Sequence, residues 1–276
     1  MLAADDGARV IAGGQTLVPM MAMRLSRPAR LVDIARVPAL AFIHDEGKTV
    51  IVGSTTRQCM AERSSLVRDK VPLLAKALPW VGHAATRARG TIGGSIANAD
   101  PAAEIALVVV TLDATLVYRQ GGKDAGIAAS EFFLGPMITA LPAGSCLSAV
   151  SFPIWPEQRV GTGFHEINAR RSDFAFVSAA AQVAVDEDGI CRRLALGIGA
   201  ATDVPMRLSA VETAFAGRRI EETPLREAVN QILAGVECLS DLHASADYRR
   251  RVAATLAVRA VMDAVESAQA RGSHAH

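Results

Sequence analysis

The sequence predicts an α+β fold with a larger N-terminal mixed region and a smaller C-terminal domain. Short apolar runs and helical runs follow one another without a fixed period over residues 1–160, which argues against a solenoid. The Pro- and Gly-containing stretch "WPEQRVGTG" (155–163) then predicts a linker. Beyond it, paired strands precede three helices, an order typical of an α+β domain.

Start and stop signals predict the elements of the N-terminal region. Apolar runs bounded by glycine or polar turns predict strands, and Ser, Thr or Asp before a periodic run predicts a helix start. In chain order these are a strand at Arg9–Ala12, a short helix capped by Thr16, a strand at Leu31–Ile34, two strands within 39–54 around "DEGK", a helix capped by Thr55 or Thr56 and ending near Ser64, a helix at Val71–Leu78, a helix from Asp100-Pro101 to Leu112, and a strand at Ala114–Arg119.

The C-terminal region has a clearer pattern. "FVSAAAQVAVD" and "ICRRLALGIGAA" predict paired strands around the turn "EDG" at 187–189. Three helices are predicted after them, at Met206–Ala216, Leu225–Leu233 and Ala246–Ala270.

Composition excludes several classes of protein. Hydrophobic residues make up 50% and charged residues 21% of the 276 residues, as in ordinary globular proteins. The net charge of +1 indicates no bias toward nucleic acid, and the run Arg249–Arg251 is interpreted as a solvated helix face. No apolar run reaches membrane-spanning length and no secretory signal is visible, so we expect a cytoplasmic protein without a membrane span.

The four cysteines, at 59, 146, 191 and 238, are isolated in the sequence. They show no zinc or iron–sulfur spacing, and a disulfide framework is not expected at this density. We therefore predict no metal site on this chain.

Two glycine segments share one local pattern, "VIAGGQTL" (10–17) and "TIGGSIAN" (91–98). Each has a β-branched residue before Gly-Gly, with a helix start soon after. Glycines permit positive φ and close backbone approach, and consecutive amides can form an anion nest. Two nests could hold one diphosphate without Lys or Arg, although Gly-Gly is also common in plain turns. No Walker A loop occurs, and "GTGFHE" (161–166) lacks the third glycine of a dinucleotide-binding fingerprint.

Glu104 follows the second segment and is not explained by capping. A reciprocal capping box after Asp100 would need the acidic residue at Ala103, one place earlier. Glu104 is thus either a surface carboxylate in a first helical turn or an acceptor for a ligand hydroxyl, such as a ribose or ribityl group.

Nearly the whole chain resembles the FAD-binding medium subunit of molybdenum hydroxylases, the xanthine dehydrogenase and carbon monoxide dehydrogenase family. The resemblance rests on "AGGQTLVPMMAMRLSRPARLVDI" (12–34), "RARGTIGGSIANADPAAE" (87–104) and "GFHEINARRSDFAFVSAAAQV" (163–183). It implies a two-lobed FAD-binding domain of the vanillyl-alcohol-oxidase/PCMH type over residues 1–160, with lobes at about 1–54 and 55–160. It also implies a C-terminal α/β sandwich domain over 161–271, followed by a tail at 272–276.

The resemblance also implies the cofactor-binding residues, and it places no catalytic residue on this chain. Backbone groups of both glycine segments would hold the FAD diphosphate, Asn98 and Glu104 would contact the flavin side, and Phe164 would lie near the isoalloxazine ring. The full set is Ile11, Ala12, Gly13, Gly14, Gln15, Thr16, Leu17, Thr91, Ile92, Gly93, Gly94, Ser95, Asn98, Asp100, Glu104, Phe164 and His165.

By the same resemblance, the chain is an electron-transfer subunit in a dimer of heterotrimers. A large subunit would hold molybdopterin and hydroxylate the substrate, a small subunit would carry two [2Fe–2S] clusters, and FAD here would pass electrons to an external acceptor. A stand-alone FAD oxidoreductase and a non-catalytic nucleotide-binding subunit remain alternatives.

Three departures from the family pattern are visible. "MLAADDG" is interpreted as the end of a helix whose preceding strand is missing. Gln15 stands where carbon monoxide dehydrogenases usually have His, which favours an organic substrate. His165 stands where some relatives have Lys.

Overall fold

The N-terminal lobe is built around two short parallel strands. The structure, a computed structural model, describes residues 7–272, so the predicted remnant helix and the tail beyond 272 lie outside the described residues. Strand β1 (Ala8–Ile11) leads through helix α1 (Leu17–Ala22) to β2 (Arg30–Asp33), and Ala8 pairs with Arg30. Both strands and the helix were predicted, but the Thr16 side chain does not cap α1.

The second lobe contains an antiparallel five-stranded sheet in the order β3-β4-β9-β5-β6, so the strands within 43–53 belong to this lobe and not, as the resemblance implied, to the first. Its first two strands form the predicted hairpin, with Gly47 in the turn at φ 79°. The strands are β3 (Ile43–Asp45), β4 (Thr49–Gly53), β5 (Thr115–Gln120), β6 (Lys123–Ala128) and β9 (Cys146–Pro153). A small hairpin of β7 (Phe133–Gly135) and β8 (Ile138–Thr139) precedes β9.

Helices fill the connection between β4 and β5. Most are short, and one of them, the helix of Glu104–Thr111, is buried from Ile105 to Thr111. They are α2 (Gln58–Arg63), α3 (Ser65–Lys70), α4 (Pro72–Ala77), α5 (Ala84–Arg89), α6 (Ile92–Asn98) and α7 (Glu104–Thr111), with α8 (Ala129–Phe132) after β6.

Two predicted helix starts in this connection are wrong. Helix α2 begins after Arg57, because the Thr56 hydroxyl is already bonded to the backbone N–H and C=O of Phe42. Asp100 accepts a hydrogen bond from the amide of Ala102, which closes a local turn, and α7 begins only at Glu104. The Asp100 bond is local competition with helix capping, whereas the Thr56 hydroxyl is occupied by a residue fourteen positions away.

The C-terminal domain is an antiparallel sheet in the order β10-β11-β12-β13, packed against helices. The predicted strand pair around 187–189 is confirmed. The elements are β10 (Val160–Ile167), β11 (Val177–Val185), β12 (Cys191–Gly199), β13 (Met206–Arg207), α9 (Ser209–Phe215), α10 (Glu222–Ala234) and α11 (Ala246–Gly272).

Tertiary pairing changes two boundaries in this domain. Val160–Gly163, predicted as part of the linker, belongs to β10 and is buried against α11. Met206 and Arg207, predicted as helical, pair with β12 instead.

Arg249 corrects the interpretation of the Arg249–Arg251 run as a solvated face. The residue is only 3% exposed. It donates to the carbonyl of Ala200 at 2.9 Å and to the carbonyl of Phe176, and it forms an ion pair with Asp241 at 2.5 Å. A buried arginine with several acceptors ties the start of α11 to the sheet.

One hydrophobic core reaches across the two domains. It contains α7 and the second-lobe sheet, and it also includes Phe164 and Ala180 from the C-terminal sheet. A second core fills the space between that sheet and helices α9–α11. No helix among residues 7–272 is both long and apolar enough to cross a lipid bilayer.

The contact between β10 and α11 predicts a sensitive glycine. A Cβ atom at Gly163 would lie 2.0 Å from the carbonyl oxygen of Ala260. We expect Gly163→Ala to lower the free energy of unfolding by about 3 kcal/mol, because overpacking forces the helix from the sheet. Gly235→Ala is the control, since the nearest atom there is 3.9 Å away. Equal denaturant midpoints for the two variants would contradict this account.

Candidate functional site

A cavity of about 580 Å³ lies between the two lobes. Its volume falls in the range of small-molecule and cofactor sites. Of the predicted cofactor-binding residues, fourteen line it: Ile11, Ala12, Gly13, Gly14, Gln15, Thr16, Leu17, Thr91, Gly93, Gly94, Ser95, Asn98, Asp100 and Glu104. Two segments about eighty residues apart in the sequence therefore face one space.

The first glycine segment offers free backbone donors. Among the described residues, the amides of Gly13, Gly14, Gln15 and Thr16 donate to no protein acceptor. Gly14 has φ 70°, a conformation that side chains disfavour. Successive unpaired amides in such a turn form a concave site for an anion.

The second glycine segment is a helix start and not a turn. Gly93 and Gly94 lie in the first turn of α6, where the Thr91 hydroxyl accepts the Gly94 N–H at 3.0 Å. The amides of Ile92 and Gly93 donate to the carbonyls of Thr56 and Ser54. The expectation that this segment presents a nest of free amides is therefore wrong.

Close packing between protein segments explains two of the glycines. A Cβ atom at Gly93 would lie 2.4 Å from the Ser54 Cβ, and one at Gly13 would lie 2.5 Å from the Arg89 carbonyl oxygen. These glycines allow the walls of the cavity to lie close together. The sequence predicted instead that they let a ligand approach the backbone.

Among the cavity residues that the sequence did not predict, Ser54 and Gln58 carry buried polar atoms. The Ser54 hydroxyl and the Gln58 Oε1 are buried, and neither has a hydrogen-bond partner among the described residues. Buried polar atoms are rarely left unpaired, so both are candidates to contact a ligand. No local motif marks them, because Ser54 follows a strand and Gln58 begins a helix.

Glu104 is the first residue of α7 and lines the cavity. Removal from water raises the pKa of its carboxyl to about 7, which its own backbone hydrogen bond and Arg87 partly oppose and Asp100 reinforces. The carboxyl thus titrates near neutral pH, as acids in functional sites often do.

Phe164, His165 and Ile92 do not line the cavity. Phe164 is 2% exposed and packs on Trp80 in the shared core, with ring centroids 5.9 Å apart. His165 Nε2 lies 2.8 Å from an oxygen of Asp263. The residues of this region that line the cavity are instead Ser172, Asp173 and Phe174, of which Phe174 is 75% exposed.

Because Gly93 packs against Ser54, we expect a larger residue at this position to destabilise the fold even when no ligand is bound. We expect Gly93→Val to lower the free energy of unfolding by about 3 kcal/mol without any ligand, because the added side chain separates α6 from β4. Ala97→Val on the exposed side of the same helix is the control. Unchanged thermal unfolding of Gly93→Val would contradict the packing role of this glycine.

Comparison with known proteins agrees with the site geometry. Residues 1–155 match the family model described as FAD binding domain in molybdopterin dehydrogenase, and residues 162–264 match the CO dehydrogenase flavoprotein C-terminal domain.

Individual relatives cover nearly the whole chain. The 6-hydroxypseudooxynicotine dehydrogenase complex subunit alpha of Paenarthrobacter nicotinovorans is 33% identical, covering 96% of this chain and 89% of its own length. Caffeine dehydrogenase subunit beta of a Pseudomonas species is 31% identical, covering 95% and 88%. The crystal structure of quinoline 2-oxidoreductase from Pseudomonas putida 86 superposes with a TM-score of 0.91 at 33% identity, covering 97% of this chain and 93% of that one.

The cavity fits the cofactor of this family. Its free amides suit a diphosphate, and its unpaired Ser54 and Gln58 oxygens and the Glu104 carboxyl suit the hydroxyl-bearing part of FAD. The chain therefore belongs to the FAD-binding medium subunits of molybdenum hydroxylases, a family of oxidoreductase subunits in which the cofactor of this domain is FAD.

Proposed function

We propose that this chain is the electron-transfer subunit of a heteromeric molybdenum hydroxylase. FAD bound here would accept electrons from [2Fe–2S] clusters on a small subunit and deliver them to an external acceptor, while a large molybdopterin-binding subunit hydroxylates the substrate. The observation that carries the proposal is the cavity that joins free amides from one lobe to polar side chains from the other.

The redox chemistry would come from the flavin, and the chain's own residues bind and orient it. The amides of Gly13–Thr16 are donors for the diphosphate, and Thr91 and Ser95 are candidates to close on it from the other lobe. Glu104 and Asn98 are candidates for the polyol and flavin side. Phe164 and His165 have no direct support from the cavity and would need a rearrangement to reach the cofactor.

Iron–sulfur ligation on other chains is consistent with the cysteines of this one. All four are free. Among residues 7–272, no group of three or more His, Cys, Asp or Glu side chains could hold a metal ion. Two [2Fe–2S] clusters need eight ligands, so we place them on a partner subunit.

We propose an N-heteroaromatic compound or an aldehyde as the substrate class of the assembly. The relatives named above are dehydrogenase subunits for a nicotine derivative and caffeine, and a further one is a glyceraldehyde dehydrogenase chain. Gln15, in place of the His usual in carbon monoxide dehydrogenases, supports an organic substrate. We propose that the assembly is a cytoplasmic dimer of heterotrimers.

Absorption spectra and metal analysis test this function. We expect the chain to show flavin bands after incubation with FAD, and to co-purify with molybdenum- and iron-containing subunits when expressed with its natural partners. A folded, colourless protein after FAD incubation would reject the FAD assignment. A yellow protein that purifies alone and oxidises substrates by itself would favour the stand-alone enzyme.

Substitution of two glycines that share a positive φ tests whether the first glycine segment, residues 10–17, binds FAD. Gly14 and Gly47 have φ 70° and 79°, and only Gly14 lines the cavity. We expect Gly14→Ala and Gly47→Ala each to lower the free energy of unfolding by about 1 kcal/mol. Only Gly14→Ala should weaken FAD binding, about tenfold or more, because displaced amides lose about 1.4 kcal/mol of binding. Equal FAD dissociation constants for both variants would contradict the role of this turn.

A further inference from the structure

A second cavity, of about 400 Å³, lies beside the cofactor cavity and is lined largely by the C-terminal domain. The two cavities share four lining residues: Asp100, Ala102, Asp173 and Phe174. Asp100 and Ala102 lie in the chain between Asn98 and Glu104, the residues proposed for the polyol and flavin side of FAD. The second cavity therefore adjoins the part of the cofactor site where the redox-active ring is expected.

Aromatic side chains line this second cavity. Phe176 and His243 are stacked, with ring centroids 5.7 Å apart and an angle of 13° between the ring planes. Phe174 is 75% exposed, and Leu242, next to His243 in the chain, is fully exposed. Flat aromatic walls and exposed apolar side chains suit a planar, apolar ring.

A buried hydrogen-bond donor belongs to the same lining. Arg249 is only 3% exposed. One of its terminal nitrogens donates to the carbonyls of Ala200 and Phe176, and the other pairs with Asp241. Its Nε is buried and has no acceptor among the described residues. A buried donor without a partner is costly, and a ligand carbonyl oxygen would satisfy it.

The charges around the second cavity disfavour an anionic ligand. Asp100, Asp173 and Asp241 line it, whereas Arg249 is the only lysine or arginine among the described lining residues. Arg170 pairs with Asp173 at 3.2 Å. Three carboxylates thus stand against two guanidinium groups, and a diphosphate placed among them would be repelled.

The backbone does not reverse this preference. The lining amides of Ala200, Leu239 and Asp241 all donate to protein carbonyls. The first glycine segment, in contrast, presents successive free amides to the cofactor cavity, as an anion site requires. A pyridine dinucleotide carries a diphosphate, so the second cavity suits a neutral ligand better than a dinucleotide.

We propose that the second cavity binds a neutral quinone, the external electron acceptor of the assembly. The quinone ring would pack on Phe174 and the Phe176–His243 pair, and one quinone carbonyl would accept the Arg249 Nε–H. Reduction of a quinone to its hydroquinone takes up two electrons and two protons, which a fully reduced flavin supplies as it returns to its oxidised form. The proposal rests on the proposed electron-transfer function and names the chemical class of the acceptor.

Calorimetric titration of the chain without FAD tests the quinone site itself. Duroquinone is a suitable probe, because every ring carbon is substituted and it does not add to the free cysteines. We expect saturable binding to the wild type. Ala169 is exposed and lines only the second of the two cavities, so Ala169→Phe should obstruct it. The dissociation constant should rise about tenfold or more, a loss of about 1.4 kcal/mol.

Ala234→Phe, at an exposed alanine of α10, is the matched control and should bind duroquinone as the wild type does. In the FAD-loaded chain, NADH should not displace duroquinone. Equal dissociation constants for the wild type and Ala169→Phe would overturn the second cavity as the quinone site, and displacement by NADH would overturn its preference for a neutral ligand.

Reoxidation of the FAD-loaded chain tests the role as acceptor site. After photoreduction without oxygen, the return of flavin absorbance is followed on mixing with duroquinone below saturation. We expect Ala169→Phe to be about tenfold slower than the wild type, in line with its weaker binding. Ferricyanide, a small and highly charged oxidant, should reoxidise both proteins at the same rate.

The two measurements separate this proposal from the function of the chain. Equal reoxidation by duroquinone in the wild type and Ala169→Phe would overturn the acceptor role of the second cavity. A chain that binds no FAD would reject the electron-transfer function and the acceptor role with it. Duroquinone binding to the chain without FAD would still decide whether the second cavity is a quinone site.

Discussion

The close approach of α6 to the end of β4 is the constraint on which the cofactor site depends. Gly93 lies against Ser54 at a distance that no side chain permits, and its amide donates to the Ser54 carbonyl. Gly13 makes a similar approach to the backbone at Arg89. Since these contacts join the first lobe, the central helices and the sheet, they define walls of the cavity, and the Ser54 hydroxyl and the Gln58 Oε1 there have no hydrogen-bond partner among the described residues.

Backbone N–H donors lie on one side of the cavity, and carboxyl groups lie on the other. The free amides of Gly13–Thr16 provide a fixed partial positive charge that a diphosphate can use without a lysine. Glu104 and Asp100 line the cavity, and burial, reinforced by the charge of Asp100, raises the pKa of Glu104 to about 7. The C-terminal domain contributes Ser172, Asp173 and Phe174 to the cavity lining.

Local patterns predicted the fold correctly where neighbouring residues alone determine the backbone conformation. The hairpin at Gly47 and the strand pair around 187–189 combine alternating or apolar strands with a turn residue that permits positive φ, and both are confirmed. Predictions failed where a distant group competes for the same backbone. The Thr56 hydroxyl is bonded to the backbone of Phe42 and does not cap α2. Met206 pairs with β12, so helix α9 begins only after it.

The sequence by itself determined the class of protein, the two glycine segments and the residues around them, because turn chemistry and a family motif are carried by consecutive residues. The tertiary structure alone decided what each glycine does. Gly14 needs its positive φ, whereas Gly93 and Gly13 are small because protein backbone lies against them. It also decided that Phe164 lies in the core. Burial and the distance between remote side chains arise only when the lobes and domains pack, and no spacing along the chain encodes them.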